Sequence, residues 1–320
     1  MGKSNKKILI TGGAGYIGHN LISFFLSKKY RIYVIDNLST STSVNKNIKK
    51  NISFFKIDLT EDNKVKFFFK NRNFDLIIHL AAFSGVEEFN SNVLKSFNNN
   101  VLATKNLVRF GFENKNTKLI FSSSAAVYGK VAKEKISETN LCKPANYYGL
   151  SKLACENIIN HSLQNKRNNY AILRYFNVVG SIVDFKIKKK INALFDIISN
   201  SIISKKYKIN INGKNFNTKD GTPERDFIHI KDLCTIHKKT YEHLKTNKKI
   251  VLNCGSGVRY SVLEIIKEFE KKIKQKFRIS YRRTNADETQ TICANTSLLR
   301  KLLKIDIEKK KINDLVKDYL

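Results

Sequence analysis

The eight residues TGGAGYIG, at positions 11–18, decide the fold class of this chain. They follow the apolar run KILI and lead into residues 17–28, where apolar side chains recur three or four positions apart, so they join a predicted strand to a predicted helix. Gly12, Gly15 and Gly18 allow a tight turn, close approach of the backbone to a pyrophosphate, and close packing of helix on strand. The helix N-terminus then offers unpaired N–H groups to phosphate oxygens. The stretch therefore predicts a dinucleotide-binding turn.

Six runs of β-branched, aromatic and other apolar residues alternate with helical patterns over the first 180 residues. They are KILITGG (7–13), RIYVIDN (31–37), ISFFKIDL (52–59), DLIIHLAA (75–82), KLIFSSS (118–124) and YAILRYFN (170–177). Strands of this kind, separated by helices such as the one predicted over 94–110, form parallel sheets that are covered on both faces. We therefore expect a Rossmann-like α/β fold with a doubly wound parallel sheet. After residue 180 the alternation weakens into a mixed β/α region.

Polar residues recur where the predicted strands end, and ligands bind along that edge in open α/β sheets. Asp36 ends the second strand, where a carboxylate hydrogen-bonds the adenosine ribose and repels a 2′-phosphate, so NAD is favoured over NADP. Asp58 closes the third strand, from which it would reach the adenine or cap the next helix. Further polar or small residues at strand ends are His79–Ala82, Ser122–Ser124 and Asn177.

The stretch ANYYGLSK (145–152) carries the predicted chemistry. In a helix that begins near Tyr147, the side chains of Tyr148 and Lys152 share one face. A free phenol has a pKa of about 10, and lowering it by about three units takes roughly 4 kcal/mol of preference for the phenolate. The Lys152 ammonium and a positively charged nicotinamide ring are partners that supply this preference. We predict that Tyr148, Lys152 and Ser124, which would hold a substrate hydroxyl, are catalytic, and that Tyr147 packs on the apolar stripe of the helix.

The net charge of +32 first suggests nucleic-acid binding, because dense Lys and Arg neutralise phosphates. The lysines are dispersed, however, and the densest clusters, KIKKK (186–190) and KKK (309–311), are short. No basic motif interleaved with aromatic residues, typical of RNA-binding proteins, is present. We interpret the charge as solvated surface lysine with a mild attraction for anionic small molecules, and we expect no nucleic-acid partner.

The cysteines and histidines follow neither a disulfide nor a metal-binding pattern. The five cysteines are scattered, odd in number and never spaced C-x-x-C, which fits a reducing cytosol. The six histidines form no H-x-x-x-H pair, so no metal centre is expected. The N-terminal residues lack the long apolar region of a signal peptide, and no apolar run approaches the roughly 18 residues of a membrane span. We expect a cytoplasmic protein without a membrane segment.

Together these stretches resemble the extended short-chain dehydrogenase/reductase family over nearly the whole chain, with the closest likeness to its UDP-hexose 4-epimerases. The matching stretches are TGGAGYIG, IDNLS, IHLAA, NNNV, FSSSAAVYG, YYGLSK, LRYFN and DGTPERDFIHIKDL, in that order. The resemblance implies an NAD-binding domain over 1–177 and 226–255 and a smaller nucleotide-sugar-binding domain over 178–225 and 256–320. It also implies a homodimer, with the helix from Tyr147 in the interface.

The resemblance implies ligand contacts for individual residues. Those expected to bind NAD are Gly12, Gly15, Tyr16, Ile17, Gly18, Asp36, Asn37, Asp58, Leu59, Leu80, Ala81, Ala82, Asn99, Ser122, Tyr148, Lys152 and Phe176. Those expected to bind the UDP-sugar are Ser124, Asn177, Asn192, Arg225 and Arg283, with Arg282 as the alternative to Arg283. From the residues alone, Arg225 beside Asp226 fits a surface ion pair equally well.

The activity that the resemblance implies is redox-neutral 4-epimerisation of a UDP-hexose, such as UDP-glucose or UDP-galactose. In that mechanism Tyr148 takes the proton of the sugar 4-hydroxyl while NAD accepts the hydride from C4. The transient 4-keto sugar then turns about its phosphate linkage and takes the hydride back on its other face. The site must be enclosed, because escape of the ketone would leave the enzyme with NADH.

Departures from the family pattern all lie on the sugar-nucleotide side. Ser84 stands where the common bacterial enzymes have a lysine, and the insert after RYFN is shorter. An R-x-G-D pattern is blurred in RRTNADETQTICAN, where Ile292 or Cys293 falls near the position whose bulk decides whether an N-acetyl group fits. The cofactor and the reaction type are therefore better supported than the substrate.

Alternative functions on the same scaffold remain open. The 4-epimerases of UDP-N-acetylglucosamine and UDP-glucuronate share every stretch quoted above. A nucleotide-sugar 4,6-dehydratase is less favoured, because it needs an Asp–Glu pair after Ser124, where this chain has Ala125 and Ala126. A non-catalytic NAD-binding regulator is also disfavoured, since it would not need the set of Ser124, Tyr148 and Lys152.

Overall fold

The computed structural model of the chain describes residues 6–41, 44–84, 92–131, 134–166, 168–183, 194–247, 249–283, 289–307 and 311–320. Its strands are β1 (Lys7–Thr11), β2 (Arg31–Asp36), β3 (Ile52–Lys56), β4 (Leu76–His79), β5 (Lys118–Ser124), β6 (Tyr170–Tyr175), β7 (Asn177–Val179), β8 (Lys208–Asn212), β9 (Glu224–His229), β10 (Lys249–Cys254), β11 (Arg259–Ser261), β12 (Arg278–Arg282) and β13 (Thr291–Ile292). Its α-helices are α1 (Tyr16–Ser27), α2 (Lys46–Lys49), α3 (Asp62–Phe69), α4 (Val93–Phe110), α5 (Tyr147–Lys166), α6 (Leu194–Ile203), α7 (Ile230–His243), α8 (Val262–Ile273), α9 (Ser297–Leu303) and α10 (Ile312–Val316). Short 3₁₀ turns cover Ala125–Tyr128 and Lys317–Tyr319.

The central sheet is seven-stranded and parallel, in the order β10-β6-β5-β4-β1-β2-β3. In its middle, Ile8 of β1 pairs with Ile32 of β2 on one side and with Leu76 of β4 on the other. The chain winds outward from β1 to β3 and then restarts at β4, so the direction of winding reverses between β1 and β4, where such sheets bind ligands. The predicted doubly wound parallel sheet and its six predicted strands are confirmed.

Helices cover both faces of the central sheet, because its strands are apolar on both sides. Ile8 packs in one core with Leu21 of α1 and Leu233 of α7. Leu9, which points to the opposite face, packs in a second core with Leu107 of α4 and with residues of α3 and α5. The helices predicted over 17–28 and 94–110 are confirmed as α1 and α4. In the described part of the chain, none of the helices combines the length and apolar character needed to cross a membrane.

A third core lies outside the central sheet, around β9. This strand pairs in parallel with β7 and β13 and antiparallel with β11, while β8 and β12 form a separate parallel pair. The ring of Phe195 meets Phe227 of β9 and Phe269 of α8 edge-on, at centroid distances of 5.2 and 5.7 Å. Because Phe227 belongs to this core and the next residue, Ile228, belongs to the first, β9 connects the two packing units.

Candidate active site

The glycine-rich turn brings the start of α1 against the ends of β1 and β4. Gly12 has a φ of +70°, and a Cβ there would lie 2.6 Å from the backbone nitrogen of Ala81. A Cβ on Gly18 would lie 2.6 Å from the carbonyl oxygen of Gly12. Side chains at either position are therefore excluded, and the turn has the close backbone approach that the sequence predicted.

The N-terminus of α1 fits an anionic group such as a pyrophosphate. Gly15 is the N-cap residue, in an extended conformation, and no side chain caps the helix there. The first turn of α1, which includes Tyr16 and Ile17, thus lies at the edge of the sheet with its N–H groups at the end where the helix dipole favours negative charge. The turn and the helix start together form a cradle that suits the predicted dinucleotide.

Asp36 ties the glycine-rich turn to the loop after β2. Its carboxylate oxygens accept hydrogen bonds from the backbone N–H of Ala14 (2.9 Å) and of Leu38 (2.8 Å). The Asp36 side chain is buried. The carboxylate that was predicted to bind the adenosine ribose therefore also holds the glycine-rich turn and the loop after β2 together. The structure thus gives Asp36 an architectural role that its place in the sequence did not reveal.

Asn37 and Asp58 lie together at the ends of β2 and β3. The Asn37 amide donates to Asp58 Oδ2 (2.9 Å), and Thr60 donates both its N–H and its hydroxyl to Asp58 Oδ1 (2.8 and 2.7 Å). Burial opposes ionisation of Asp58, but these hydrogen bonds outweigh it and lower the pKa of the carboxyl. The side chain of Leu59 is buried in the core beneath α4, and its predicted contact with the cofactor stays a prediction.

A buried network supports the end of β4. His79 lies between the hydroxyls of Thr11 (2.7 Å) and Thr104 (3.1 Å), below the edge at which Leu80, Ala81 and Ala82 are partly exposed. Burial, with a smaller contribution from Lys152, lowers the pKa of His79 to about 3, so the imidazole is neutral. Leu80–Ala82 therefore lie against the glycine-rich turn, directly after a buried histidine whose hydrogen bonds fix the end of β4. No local sequence pattern predicted these hydrogen bonds.

Asn100, not the predicted Asn99, links the β4 edge to α5. The buried Asn100 amide accepts from Phe83 N–H (2.9 Å) and donates to Ser151 Oγ (3.1 Å), while Asn99 is only partly buried. Helical spacing contained the signal, because Asn100 lies four residues before the buried Thr104 and shares its face. Asn100 is therefore the better candidate for the site.

Ser124 and Tyr148 meet at the end of β5. The Tyr148 hydroxyl forms a hydrogen bond with Ser124, and Ser124 Oγ also accepts the Ala126 N–H (3.2 Å), which starts the 3₁₀ turn. Helix α5 begins at Tyr147, as predicted, and Gly149 allows it to approach this turn, because a Cβ there would lie 2.5 Å from the carbonyl oxygen of Ala126. The predicted phenol and hydroxyl are thus in direct contact.

Lys152 lies one turn further along α5 and points at the same strand. Its Nζ donates to the carbonyl oxygen of Ser122 (2.8 Å) and lies 5.9 Å from the centre of the Tyr148 ring and 5.1 Å from that of Phe121. The structure therefore brings together Ser122, Ser124, Tyr148 and Lys152 as the sequence predicted. Tyr147, which was predicted to pack, is instead 55% exposed and belongs to none of the cores formed by the described residues.

The expected lowering of the Tyr148 pKa is not what the protein alone produces. Burial raises the pKa of Tyr148 to about 12, against which the hydrogen bond with Ser124 acts only partly. Burial also lowers the pKa of Lys152 to about 8, despite the opposing influence of Cys155 and Glu156. Both shifts share one cause, because burial disfavours the charged form of each group.

An ion pair underneath the site was not anticipated from the sequence. Glu156, one turn after Lys152, accepts two hydrogen bonds from the buried Arg174 of β6 (3.0 and 2.7 Å) and one from Ser123 (2.5 Å). Arg174 also donates to Tyr128 of the 3₁₀ turn (2.9 Å). The pair fixes α5 to β5 and β6, immediately behind the residues that carry the predicted chemistry.

The residues predicted to bind the sugar nucleotide fall into separate places. Asn177 is exposed at the start of β7, beside the buried Phe176. Arg225, on β9, is partly buried and donates to the carbonyl oxygens of Glu224 (2.9 Å) and Gln290 (3.2 Å). Arg282 and Arg283 are exposed at and just after the end of β12, and Asn192 lies outside the described residues.

Asp226, next to Arg225, is buried and binds two other segments of the chain to β9. Its oxygens accept from the backbone N–H groups of Ser256 (2.7 Å), Gly257 (3.0 Å) and Ala294 (3.0 Å), and from the Ser256 hydroxyl (2.7 Å). Burial raises the pKa of this carboxyl, although the hydrogen bonds oppose the shift. The surface ion pair with Arg225 that the sequence left open does not fit a carboxylate in this environment.

Comparisons with known proteins show the family to which the chain belongs. A model of the NAD dependent epimerase/dehydratase family matches residues 8–255. The UDP-glucose 4-epimerase of Bacillus subtilis is 35% identical over 280 residues, which cover 82% of this chain and 81% of that protein.

Solved structures resemble the chain over nearly its whole length. A UDP-glucose 4-epimerase from Bifidobacterium longum, in complex with NAD+ and UDP, superposes with a TM-score of 0.89 at 28% identity and covers 98% of this chain and 97% of that one. The UDP-Glc/GlcNAc 4-epimerase of Campylobacter jejuni superposes with a TM-score of 0.84 at 33% identity, and 98% of each chain is covered.

Proposed function

Because the chain belongs to the NAD dependent epimerase/dehydratase family, we propose that it is an NAD-dependent enzyme that interconverts UDP-glucose and UDP-galactose at C4. The observation that carries this proposal is the contact between Tyr148 and Ser124, with Lys152 one turn away, at the sheet edge that also holds the glycine-rich turn. A proton acceptor beside a dinucleotide site is the arrangement that oxidation and reduction of a sugar hydroxyl require.

The residues that would hold NAD form one continuous edge. They are Gly12, Gly15, Tyr16, Ile17 and Gly18 of the turn, Asp36, Asn37 and Asp58 at the ends of β2 and β3, Leu80–Ala82 after β4, Asn100, and Ser122 and Lys152 beside β5. When bound, NAD would supply a hydride acceptor and a positively charged ring next to the site. These residues lie at the ends of strands of the parallel sheet, in the loops that follow those strands, or on helices packed on the sheet.

The chain's own residues would divide the proton chemistry among them. Tyr148 would take the proton of the sugar 4-hydroxyl, and Ser124 would hold that hydroxyl in line. Lys152 would favour the phenolate by its charge, from a position fixed by the carbonyl oxygen of Ser122. The buried surroundings of Tyr148 and Lys152 would keep water from the transient ketone.

A test of this proposal needs only the purified protein. We expect it to carry bound NAD, visible as nucleotide released on denaturation, and to convert UDP-galactose to UDP-glucose without added oxidant. The control is the double variant Tyr148→Phe/Lys152→Met, which should lose turnover. Protein that binds neither NAD nor UDP, or that needs one equivalent of oxidant per turnover, would contradict the proposal.

UDP-N-acetylglucosamine is a second candidate substrate. The Campylobacter jejuni enzyme, named for both glucose and N-acetylglucosamine series, is 33% identical to this chain. Ile292 or Cys293 falls near the position that the sequence linked to acceptance of an N-acetyl group, and of these two residues only Cys293 has a small side chain. A coupled assay over a panel of UDP-sugars, including UDP-glucuronate, would decide between the substrates by their ratios of kcat/KM.

We also propose that the protein is a dimer that uses α4 and α5. Large apolar side chains are exposed on these two helices, namely Leu94, Leu102, Tyr147 and Leu150. An exposed apolar surface of this kind is typical of an interface between subunits. In analytical ultracentrifugation, Leu150→Glu should give monomers, whereas Phe67→Glu, an exposed phenylalanine on α3, should not. Unchanged association of the Leu150 variant would count against this interface.

We also propose that the chain forms two domains. The NAD-binding domain would comprise residues 1–177 and 226–255, and the sugar-nucleotide-binding domain residues 178–225 and 256–320. The third core around Phe195 and Phe269 supports a separate smaller unit, with β9 as the connection. The cytosol is the proposed location, because all five cysteines are free thiols, which suits a reducing compartment. Limited proteolysis that yields fragments cut outside these boundaries would speak against the division.

A further inference from the structure

The three residues that follow β7 are Gly180–Ile182. Their backbone N–H groups are hydrogen-bonded to side chains from distant parts of the chain. We call this the clasp segment. Its N–H groups donate to Tyr319 Oη from Gly180 (3.0 Å), to Asp318 Oδ2 from Ser181 (2.7 Å) and to Asn20 Oδ1 from Ile182 (2.8 Å). A segment whose successive amides all bond to side chains is held by those side chains, and its position depends on theirs.

Two tyrosines form hydrogen bonds with the two backbone groups of Gly180. Tyr16 donates its hydroxyl hydrogen to the Gly180 carbonyl oxygen (2.5 Å), while Tyr319 accepts from the Gly180 N–H. The two phenol groups also hydrogen-bond each other. Burial, followed by the influence of Tyr319, raises the pKa of Tyr16 well above its usual value, so the donor keeps its proton.

Residue 180 must be glycine for the clasp segment to reach this position. Its φ is +87°, and a Cβ would clash with the imidazole of His229 and lie 2.8 Å from Asp318 Oδ2. His229 Nδ1 accepts the Lys231 N–H (3.1 Å), so its Nε2 carries the hydrogen and donates to Asp318 (2.9 Å). The side chain of Asp318 is thereby also held by His229, the last residue of β9. The clasp segment thus lies between α1, β9 and the last 3₁₀ turn.

The clasp segment joins the two halves of the proposed site. Tyr16 and Asn20, one helical turn apart on α1, follow directly on the glycine-rich turn. Asn177, the candidate sugar-nucleotide contact, lies three residues before Gly180 on β7. The residue Tyr16 therefore contributes its backbone to the predicted pyrophosphate cradle. Its hydroxyl binds the segment that follows the candidate sugar-nucleotide contact on β7.

We propose that Tyr16 and Tyr319 are positioning residues that link the two ligand sites, so that NAD at the glycine-rich turn and a UDP-sugar near β7 strengthen each other's binding. This inference rests on the proposed function, because it names the ligands of that site. The physical basis is shared ordering. A ligand that fixes the start of α1 also fixes the clasp segment, and the second ligand then finds its segment already in place.

Equilibrium dialysis of the whole protein against labelled NAD, after removal of the NAD that co-purifies, with and without saturating UDP, measures this link. In the wild type, UDP should lower the dissociation constant of NAD. Tyr16→Phe and Tyr319→Phe each remove one hydroxyl from the clasp and should reduce this effect by about fivefold, the amount expected for one hydrogen bond. The double variant should lose little more than either single variant, because both act on the same peptide.

Tyr33→Phe is the matched control. Its ring packs edge-on against Phe74 on the far side of β2, so loss of this hydroxyl should leave the effect of UDP unchanged. If Tyr16→Phe does not fold, as judged by its urea midpoint, Tyr319→Phe carries the test. An unchanged effect of UDP in folded Phe variants that still bind NAD and UDP overturns the inference alone. Failure of the wild type to bind either ligand removes the proposed function, and the inference with it.

Discussion

The amine of Lys152 lies 5.9 Å from the centre of the Tyr148 ring, one helical turn away on α5. It donates to the end of β5 through the Ser122 carbonyl oxygen. Burial of both groups sets the pKa of the phenol at about 12 and that of the amine at about 8. The protein alone thus favours a neutral phenol at pH 7, and the base would become active only with a further positive charge beside it, such as that of the oxidised nicotinamide ring.

Loss of the phenol hydroxyl should abolish turnover and spare binding. Tyr148→Phe keeps the ring in place, so we expect a fall in kcat for UDP-galactose of about 10²–10⁴-fold, the contribution typical of a general base. The dissociation constants of NAD and UDP should stay near those of the wild type. The neighbouring exposed residue gives the control, since Tyr147→Phe should retain full activity. A Tyr148→Phe protein as active as the wild type would rule out the assigned base.

Lys152 should make stability depend on pH in the alkaline range. Its pKa is about 8 in the folded protein and 10.5 normally, so between these values the unfolded chain holds a proton that the folded chain has lost. Stability should therefore rise with pH across this window, relative to Lys152→Met, by up to about 1.4 kcal/mol per pH unit.

Urea unfolding at pH 7, 8, 9 and 10 checks this expectation. Lys152→Met should be the more stable protein at pH 7, and its advantage should shrink as the pH rises. Lys143→Met, at an exposed position, should show a constant difference from the wild type. An advantage of the Lys152 variant that does not change with pH would contradict the burial of this ammonium.

His79 should contribute to acid sensitivity. The pKa of this residue falls from 6.5 to about 3 on folding, chiefly through burial. As the pH drops through that window, the unfolded chain gains a proton that the folded chain does not, so stability falls by up to about 1.4 kcal/mol per pH unit. His79→Asn should be less stable at pH 7 but lose less stability between pH 6.5 and 4, as followed by urea midpoints. Parallel curves for the two proteins would refute the effect.

Asp36 should matter for NAD through the backbone that it holds. In Asp36→Asn, one of the two N–H donors, Ala14 or Leu38, would face an amide nitrogen in place of a carboxylate oxygen. We expect the affinity for NAD to fall about 10- to 100-fold, as for loss of a hydrogen bond to a charged group. Asp62→Asn, on the exposed first turn of α3, should bind NAD as the wild type does. Equal affinities of all three proteins would exclude this role.

Local patterns were enough to predict the central sheet and the catalytic helix. The strands β1–β6 lie inside the runs that the sequence marked, and α5 begins at Tyr147, because apolar periodicity and glycine spacing are short-range properties. Contacts between remote residues were not accessible in this way. Tyr16 and Gly180 are 164 residues apart, and no periodicity connects them.

Burial accounts for the points at which the structure differs from the expectations. The lowered pKa of Tyr148 is expected from Lys152 and the nicotinamide ring together, whereas the opposing desolvation in the protein alone depends on the packing of α5 on β5, which the sequence does not state. Tyr147 was expected to pack and is exposed, because the apolar stripe of α5 faces outward. The cofactor contact of Asn99, which the resemblance implies, stays a prediction. Burial of Asn100 depends on which of the adjacent asparagines lies on the packed face of α4, which the resemblance does not state.

The buried carboxylate of Asp226 has a consequence for how the protein opens. It gathers amide hydrogens from Ser256, Gly257 and Ala294, which lie on segments separated by more than thirty positions. Displacement of this one carboxylate would release all three bonds, so in deuterium labelling we expect these hydrogens to exchange slowly and through a shared opening. The strand that carries Arg225 would then detach as a cooperative block and not by gradual fraying.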